Sequence, residues 1–442
     1  MGSPIVSETF RSFDGGSTIA SRSCRPDHES HWQVDSESPS IARGAGLSYA
    51  AASFGANVLS TDHTARDRVV AFDKVTGVLE VEAGARLGQV YDFLTPRGFY
   101  LPVQPGHPSI TIGGCIAGDV HGKNQARDGT FSQLVEGLTL LHRDHGRLEL
   151  AAGSALCDLT CGAFGLTGDI LFARLRVSPI PSNRIEVRTL PLLRVEDLPA
   201  TLAEVAGEAD LLYSWHDFTA TGKRFGSGFV VAGRFVDGAD RAASAVTQTS
   251  KLRAETRGAK RPRFFNRLTT RPFNAMFRAW TMRSSAPRRV ALYEFLFPVH
   301  NKELYFHLFG RGGFHEQQLL IPTERFAAFA EGIRKLQTLH AMPITLASGK
   351  LFAGAGKLLC FRGAGIAFAI NYPRCARSAE FAAHVDALCI ELGALPNLIK
   401  DSRLPAEVAR QCHPGYEEFR IRLHEFDPHR RYRSELSTRL DL

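Results

Sequence analysis

Residues 102–124 have the sequence PVQPGHPSITIGGCIAGDVHGKN, which places five glycines among small residues, two histidines and one lysine. Glycine is costly inside helices and strands, and its use is to let backbone N–H groups approach a ligand closely. With so few large side chains, the stretch is not expected to fill a core. We therefore expect it to cradle an anion, and a diphosphate is the obvious candidate.

Two further glycine-rich loops, residues 43–49 and 162–168, flank this stretch and are separated from it by strand-like segments. A single such loop would be an ordinary surface turn, but three favour a cradle for an extended, phosphate-bearing ligand. The dinucleotide fingerprint G-x-G-x-x-G is excluded, because Gly44 and Gly46 lack the third glycine. Gly356-Lys357 does not complete a P-loop either, since Leu351 stands where the first glycine is required.

The 442-residue chain suits two domains, and its 44% hydrophobic and 22% charged residues are ordinary for a globular protein. No run approaches the ~20 apolar residues of a membrane span. The N-terminus has neither a basic start nor an apolar run, so no signal peptide is expected. We expect a cytoplasmic protein or one peripheral to the inner face of the plasma membrane. The eight cysteines lack zinc-ligand spacing, which predicts reduced thiols without a disulfide or a metal site.

Hydrophobic periodicity predicts strands alternating with helices. Strands are expected at 78–83, 134–141, 148–150, 185–187, 229–232 and 366–372, and helices at 87–94, 325–339 and 379–393. A change of character at Pro179-Ile-Pro-Ser182 marks a domain boundary. The pattern indicates an α+β protein with two domains.

The net charge of +8 is a local feature. Residues 251–289 hold 12 lysines and arginines against Glu255 alone, and aromatic residues such as Phe264, Phe277 and Trp280 lie among them. Three interpretations remain open for this basic segment. It could be a nucleic-acid patch, a solvated loop, or a contact with anionic lipid headgroups or an anionic lipid-linked substrate. The last is favoured, and no nucleic-acid partner is expected.

Several motifs together carry a resemblance that spans nearly the whole chain in order. They are Arg43-Gly-Ala-Gly-Leu-Ser-Tyr49, Pro105-Gly106, Thr111-Ile-Gly-Gly114, Gly118-Asp-Val-His-Gly-Lys-Asn124, Gly165-Leu-Thr-Gly168, Gln318-Leu-Leu-Ile-Pro322, Lys350-Leu-Phe352, Lys400-Asp-Ser-Arg403 and the tail from Asp427-Pro428. The chain resembles the vanillyl-alcohol oxidase class of flavoproteins with the PCMH-type FAD-binding fold. Within that class it is similar to the oxidases of polyprenyl-phosphate-linked ribose.

The resemblance implies a two-domain α+β fold: an FAD-binding domain at 1–178, a substrate domain at 179–394 built on an antiparallel sheet flanked by helices, and a C-terminal segment at 395–442 that returns to the FAD domain. It implies an FAD-dependent oxidoreductase that oxidises the C2 hydroxyl of a lipid-linked ribose-like sugar to a ketone, the first half of an epimerisation in arabinan and cell-wall synthesis. An NADH-dependent keto-sugar reductase would act next, and a quinone or another acceptor would reoxidise the flavin. A soluble sugar, alditol or aldonolactone oxidase, or a non-catalytic flavin- or lipid-binding homologue, remains an alternative.

The resemblance also assigns roles by position. Lys400 would stabilise the reduced flavin and hold a substrate hydroxyl, and His121 would line the pocket or transfer a proton. FAD would contact Arg43, Gly44, Ala45, Gly46, Leu47, Ser48, Tyr49, Gly106, Thr111, Ile112, Gly113, Gly114, Gly118, Asp119, Val120, His121, Ile170 and Asn397. The substrate would contact Tyr49, Trp215, Gln318, Lys350 and Lys400.

Four positions depart from the family pattern. Ser48-Tyr49 stands where more distant members attach FAD through a histidine, which predicts non-covalent FAD. Ala369 stands where a pocket cysteine is expected, so reagents that capture that thiol should not label this chain. Asn397 replaces the usual tyrosine of a flavin contact, and Asp14-Gly15-Gly16 replaces a Gly-Trp-Gly element in a shortened N-terminal region from which a helix of the FAD domain is expected to be absent.

Overall fold

The computed structural model describes residues 4–27, 38–236, 262–283, 286–298, 300 and 304–442. Within these ranges the chain combines helices with mainly antiparallel sheets, and the predicted α+β class is confirmed. The N-terminal part contains β1 (Val6–Arg11), β2 (Thr18–Cys24), β3 (Ser40–Arg43), β4 (Leu59–Asp62), β5 (Val69–Asp73), β6 (Val78–Glu82), α1 (Leu87–Leu94), β7 (Phe99–Tyr100), α2 (Ile112–Ala117), α3 (Gln125–Asp128), β8 (Val135–His142), β9 (Gly146–Ala151), α4 (Ala155–Thr160), β10 (Asp169–Arg176) and β11 (Ser178–Pro179).

Two larger sheets form this part. The first has the order β1-β2-β4-β3, in which β2, β4 and β3 run parallel and β1 pairs antiparallel with β2. The second is antiparallel throughout, with the order β5-β6-β10-β8-β9. The short strands β7 and β11 pair with each other at the point where the chain leaves this region.

The rest of the chain contains β12 (Arg184–Leu192), α5 (Leu198–Ala206), β13 (Leu211–His216), β14 (Gly228–Phe235), α6 (Thr270–Thr281), β15 (Arg288–Ala291), α7 (Leu292–Leu296), α8 (Leu304–His307), β16 (Phe314–Ile321), α9 (Phe326–His340), β17 (Leu346–Phe352), β18 (Gly365–Pro373), α10 (Ser378–Glu391), β19 (Leu395–Pro396), α11 (Ala406–Cys412), α12 (Tyr416–Phe426) and α13 (Glu435–Arg439). Two antiparallel sheets result, with the orders β13-β14-β12-β15 and β17-β18-β16-β19. The side chain of Ser214 on β13 joins the two sheets, because it accepts from the N–H of Gly349 (2.9 Å) and lies 3.3 Å from its carbonyl oxygen.

The sheet β17-β18-β16-β19 is buried on both faces, which explains why every residue of β16 and β18 is buried. Because side chains alternate along a strand, one face carries Leu319, Ile321, Phe368 and Ile370. These pack against Phe326 and other apolar residues of α9 and α10. The opposite face of the sheet is not covered by these helices and faces the N-terminal part of the chain.

The last 45 residues pack against the beginning of the chain. Leu436, Leu440 and Leu442 share a hydrophobic cluster with Ile41 of β3 and Phe164. The backbone makes two further bonds there, since Ser40 N–H donates to the Arg431 carbonyl (2.8 Å) and Arg433 N–H donates to the Ser40 carbonyl (3.0 Å). The domain boundaries at residues 178 and 394 stay a prediction, and this packing is what a returning C-terminal segment would require.

Most predicted elements are confirmed within a few residues, among them β6, α1, β8, β18 and α10. One expectation about residues 102–124 is wrong, because the stretch does contribute to a core. Its centre is the short helix α2, and Val103, Ile112, Cys115 and Ile116 are fully enclosed in the largest hydrophobic cluster.

In the part of the chain that is described, no helix has the length and apolarity to cross a membrane. All eight cysteines are free thiols, and Cys375 and Cys412 are the least buried of them.

Candidate active site

A cavity of about 350 Å³ lies between the glycine-rich loops and the inner face of the sheet β17-β18-β16-β19. Its volume is within the usual range of small-molecule sites. Nearly all the residues predicted to bind FAD or substrate line it: Arg43, Gly44, Ala45, Gly46, Leu47, Ser48, Tyr49, Gly106, Thr111, Gly113, Gly114, Gly118, Asp119, Val120, His121, Ile170, Gln318, Lys350, Asn397 and Lys400. The fold therefore brings together segments from three distant parts of the chain.

The loop at residues 44–49 presents its backbone to the cavity. None of its six amide N–H groups finds a hydrogen-bond acceptor among the described residues. The hydroxyl of Ser48 is buried there and likewise has no partner in the described part of the chain. A run of unpaired N–H groups is an anion-binding concavity. The donors in this loop therefore fit the diphosphate of a dinucleotide cofactor.

Two glycines allow this loop to approach its neighbours. Gly46 has φ +69°, a conformation that L side chains rarely adopt. A Cβ at Gly44 would overlap Thr111 Oγ1, the hydroxyl that caps α2 by accepting from Gly114 N–H (3.3 Å). Gly44 thus lets the first loop contact the start of the second. This close approach gives the cradle two sides.

The opposite wall is one face of a sheet. Neighbouring residues across β16, β18 and β17 are paired in register, Gln318 with Ala369 and Ala369 with Ser348. The side-chain alternation that turns Leu319 toward the helices turns its neighbours Glu316, Gln318 and Ala369 toward the cavity, together with Leu346, Ser348 and Lys350 of β17. A short side chain at Ala369 leaves space in the centre of this wall.

A chain of hydrogen bonds fixes His121. Asn397 Nδ2 donates to Gln318 Oε1 (2.8 Å), Gln318 Nε2 donates to His121 Nε2 (3.2 Å), and His121 Nδ1 donates to the Gly122 carbonyl (3.1 Å). Because Gln318 donates and Gly122 accepts, the imidazole is neutral with its proton on Nδ1. Burial, reinforced by the nearby Lys350, holds the pKa of His121 well below its usual value. The Nε2 lone pair is engaged with Gln318, so a proton-transfer role for His121 stays a prediction.

Lys400 follows a turn built on Asn397. Asn397 N–H donates to the Gln318 carbonyl (2.8 Å) and Lys400 N–H donates to the Asn397 carbonyl (3.0 Å), which sets the turn against β16. Lys400 Nζ then lies 3.3 Å from Glu316 Oε1 and 4.2 Å from the centroid of the Tyr49 ring. Burial, and next the charge of Glu316, raises the pKa of Tyr49 well above its usual value, so its hydroxyl stays protonated.

Lys350 is a second cation in the same cavity. Burial and then repulsion from Lys400 lower its pKa to about 8, and Glu316 opposes this effect. Lys350 is therefore charged at neutral pH, but only by a small margin. The wall thus combines two ammonium groups with one carboxylate, an arrangement suited to binding a substrate that carries negative charge.

Two predicted site residues, Ile112 and Trp215, and one residue of the quoted motifs, Lys123, lie elsewhere. Ile112 is buried in the core behind the cavity instead of lining it. Trp215 does not line the cavity either, because it packs on Phe229 (ring centroids 5.5 Å apart) and on Phe277 of α6 (5.0 Å). Lys123 points away and donates to the Leu296 carbonyl (2.9 Å). A direct substrate contact by Trp215 is not what this geometry provides.

Asp119 lines the cavity with its backbone. Its carboxylate turns inward and accepts from Thr130 Oγ1 and from Ser132 N–H, each at 2.9 Å. The residue therefore fixes the loop that carries His121. The carboxylate of Glu316, in contrast, faces the cavity. The sequence did not lead us to predict this residue. Its spacing of two from Gln318 on one strand was the signal that could have identified it.

The segment Asp14-Gly15-Gly16, which departs from the family pattern, joins the cofactor loop to more distant parts of the chain. Asp14 is buried, and its Oδ2 accepts from Arg374 Nη2 (2.6 Å) and from Ser402 Oγ (2.5 Å). The flanking backbone is held on both sides, because Phe13 N–H donates to the Ser48 carbonyl (3.1 Å) and Phe314 N–H donates to the Asp14 carbonyl (3.0 Å). Asp14 thus ties the cofactor loop to β16 and to the turn after Lys400. The described residues before Leu87 contain no helix, and residues 28–37 lie outside the described part of the chain, so the absence of a helix from this region stays a prediction.

This fold and this cavity define an FAD-binding oxidoreductase. Residues 32–150 match the FAD binding domain family. The chain is 28% identical, over 91% of its length, to the decaprenylphosphoryl-beta-D-ribose oxidase of Mycolicibacterium smegmatis and covers 89% of that protein. Shorter similarities are to the D-lactate dehydrogenase of Anaerostipes hadrus, 27% identical over 38% of this chain and 36% of that protein, and to the mitochondrial D-lactate dehydrogenase (cytochrome) 1 of Saccharomyces cerevisiae, 35% identical over 25% of this chain and 20% of that protein.

These findings confirm the resemblance to the oxidase family, FAD as the cofactor, and an enzyme that acts on CH–OH groups. When bound, FAD supplies a hydride acceptor.

Proposed function

We propose that this enzyme oxidises a secondary hydroxyl of a polyprenyl-phosphate-linked, ribose-like sugar at C2 to a ketone, the first half of an epimerisation. The observation that carries the proposal is the sheet wall of the cavity, where Lys350, Lys400 and Glu316 surround the small side chain of Ala369. Two ammonium groups suit a phosphodiester or another anionic group near the sugar. The similarity to a sugar-lipid oxidase over 91% of the chain supports the same substrate class.

Lys400 would hold the substrate hydroxyl and stabilise negative charge that develops near the cofactor during hydride loss. The hydroxyl proton must leave at the same time. Asp119 and Glu316 are the two acidic residues that line the cavity, and of these two only Glu316 turns its carboxylate toward it, because the Asp119 carboxylate turns inward to Thr130 and Ser132. We therefore propose Glu316 as the group that accepts the proton. Replacing it by glutamine keeps a polar side chain of the same size but removes the basic site.

The described part of the basic segment supports a lipid-linked substrate. It includes the helix α6 (Thr270–Thr281), which is anchored in the protein and therefore favours lipid contact over the solvated-loop alternative. Asn274 of α6 donates to the Ile344 carbonyl (2.9 Å), two residues before the cavity-lining Leu346. Met276 and Trp280 on the outer side of α6, and Leu268 before its start, are 63%, 68% and 86% exposed among arginines. Exposed apolar residues framed by arginines suit the interface of an anionic membrane.

Residues 251–261, which carry five of the basic residues, lie outside the described part of the chain. Contact of the segment with the inner face of the membrane, a separate NADH-dependent keto-sugar reductase, and a quinone as electron acceptor are proposed from the same substrate class.

The decisive experiment is anaerobic reduction of the bound flavin, followed by its visible absorbance. A polyprenyl-phosphate ribose should bleach the flavin, whereas free ribose, an alditol, an aldonolactone and D-lactate should do so far more slowly. Equal bleaching by a free polyol would replace the proposal with a soluble sugar oxidase. If no candidate bleaches the flavin although dithionite does, a non-catalytic flavin protein would be the better description.

Membrane contact is tested separately by flotation with vesicles of phosphatidylglycerol and of phosphatidylcholine. Replacing Met276 and Trp280 by serine should reduce recovery with the anionic vesicles and leave the flavin content unchanged. Ile421→Ser, which removes an exposed apolar residue of α12, is the matched control. Equal recovery of both variants would show that α6 is not the contact.

A further inference from the structure

A group of three potential metal ligands lies where α9 meets α10. His340 is the last residue of α9, and Glu380 and His384 are four residues apart on α10, so they share one face of that helix. One ligand atom from each of the three lies within 4.8 Å of the other two. None of these residues lines the cofactor cavity.

The two imidazoles already face each other. His340 Nε2 lies 2.9 Å from His384 Nδ1, and one of these nitrogens donates its proton to the other. Metal–nitrogen bonds of about 2.0–2.1 Å would place a divalent ion between them with an N–M–N angle of about 90°, close to that of a six-coordinate ion. The shared proton would move to the other nitrogen of its own ring, so that both facing nitrogens bind the ion through their lone pairs. The pair is thus arranged as a metal chelate without a change in the backbone.

Glu380 completes the group. Its Oε2 lies 4.0 Å from His340 Nδ1, and its exposed side chain can rotate to bind the ion directly or to accept the remaining N–H of His340. The exposure of Glu380 and His384 leaves the other coordination positions to water. Two imidazoles and one carboxylate favour Zn²⁺, Ni²⁺, Co²⁺ or Cu²⁺ over Mg²⁺ and Ca²⁺, which prefer oxygen ligands.

The buried partner is held in place. His340 is only 3% exposed, and its ring packs edge-on against Phe381 with the centroids 5.7 Å apart. Arg267 of the basic segment binds the end of the same helix, because its guanidinium donates to the carbonyls of His340 (2.7 Å) and Ala341 (3.0 Å). An ion at this position would therefore link α9, α10 and the base of the basic segment.

From this geometry we propose that His340, Glu380 and His384 form a binding site for a divalent transition-metal ion. The site lies on the helical side of the sheet β17-β18-β16-β19, opposite the cofactor, and its role is to cross-link the two helices. The proposal does not depend on the identity of the substrate.

The test uses the untagged, FAD-loaded protein, because a polyhistidine tag would bind the same ions. Addition of Zn²⁺ should raise the Tm by about 2 °C or more, since an ion that binds only the folded state stabilises it. Mg²⁺ should leave the Tm unchanged. Co²⁺ should give d–d absorbance in the visible range after the flavin spectrum of the metal-free protein is subtracted.

His384→Ala removes one ligand at an exposed position, so the fold should persist and both responses should disappear. His424→Ala removes an exposed histidine of α12 and should respond as the wild type does. A Zn²⁺ shift of equal size in H384A and the wild type, or no response of the wild type to Zn²⁺, Ni²⁺ and Co²⁺, would overturn the proposal.

Discussion

Lys400 Nζ lies 3.3 Å from Glu316 Oε1 inside the cavity, although Lys400 follows β19 and Glu316 lies on β16. Asn371 Nδ2 donates to the second carboxylate oxygen of Glu316 at 2.9 Å, which holds the carboxylate toward the lysine. The pair gives the cavity a cation whose position is set by the protein. A group placed in advance against developing charge needs no rearrangement during the reaction.

Lys400→Ala should lower the rate at which the substrate reduces the flavin by about 10²- to 10³-fold. This is the usual cost of losing one preorganised donor that stabilises developing charge. Rapid-mixing measurement of flavin bleaching gives this rate directly. The flavin content should stay near that of the wild type, because the glycine loops carry the cofactor. Lys74→Ala, at an exposed turn, is the control, and equal rates in the two variants would remove Lys400 from the mechanism.

Glu316→Gln should reduce the bleaching rate with little change in the substrate concentration needed for half saturation, because the residue is proposed to take a proton and not to supply binding energy. If the variant changed only the substrate concentration needed for half saturation, Glu316 would be a binding residue and not the proton acceptor. Measurement of both parameters on one substrate separates the two roles.

The affinity for an anionic substrate should depend on pH through Lys350. Its pKa of about 8 means that the ammonium is present below pH 8 and is lost as the pH rises through that value. Attraction for the anion is therefore strongest at neutral pH and falls toward pH 9. In Lys350→Arg the guanidinium keeps its charge, so titrations between pH 6.5 and 9.5 should show the decline in the wild type and a nearly flat profile in the variant. Parallel profiles would contradict this role.

Gly44→Ala should weaken FAD binding, because the new Cβ would overlap Thr111 Oγ1 and separate the two loops. The flavin-to-protein ratio after gel filtration measures the loss. Gly207→Ala is the matched control, since a Cβ at Gly207 meets no atom within 4 Å.

Acid denaturation of the wild type should release all the flavin into solution, as expected for a non-covalent cofactor. Flavin that stayed with the precipitate would show a covalent bond.

Ala369→Cys should create a thiol in the centre of the sheet wall. A cavity-sized alkylating reagent should label this position in the variant and label no cavity position in the wild type. Peptide mass spectrometry distinguishes the new adduct from reaction at Cys375 and Cys412, the least buried of the native thiols. Protection of the variant by excess substrate would place the thiol at the substrate end of the cavity.

The glycine loops could be predicted from the sequence because their requirement is local. A backbone that must approach a ligand closely leaves glycines at fixed positions, as Gly44 and Gly46 show. The strands and helices could be predicted for the same reason. An element that is buried on one side has apolar residues at regular intervals along its sequence. Lys350 and Lys400 have no such local signature, and only the resemblance to a known family pointed to them.

Other features depend on contacts between distant segments. The junction at Asp14 requires Arg374 and Ser402, and no sequence pattern near residue 14 predicts a contact with either residue. The resemblance placed Trp215 in the substrate pocket, but Trp215 packs on Phe277, which comes from the basic segment for which contact with anionic lipid or a lipid-linked substrate was favoured. The facing imidazoles of His340 and His384 likewise depend on how α9 packs against α10.

The joining of Ser40 to Arg431 and Arg433 has a consequence for protein synthesis. The strand that leads into the cofactor loop leaves the ribosome long before the residues that bind its edge. Lys400 and Asn397 also emerge late, so the nascent chain carries a cradle without its second wall. FAD capture should therefore await the emergence of Asn397 and Lys400, and until Arg431 and Arg433 emerge the edge of β3 lacks the backbone partners that it has in the folded protein.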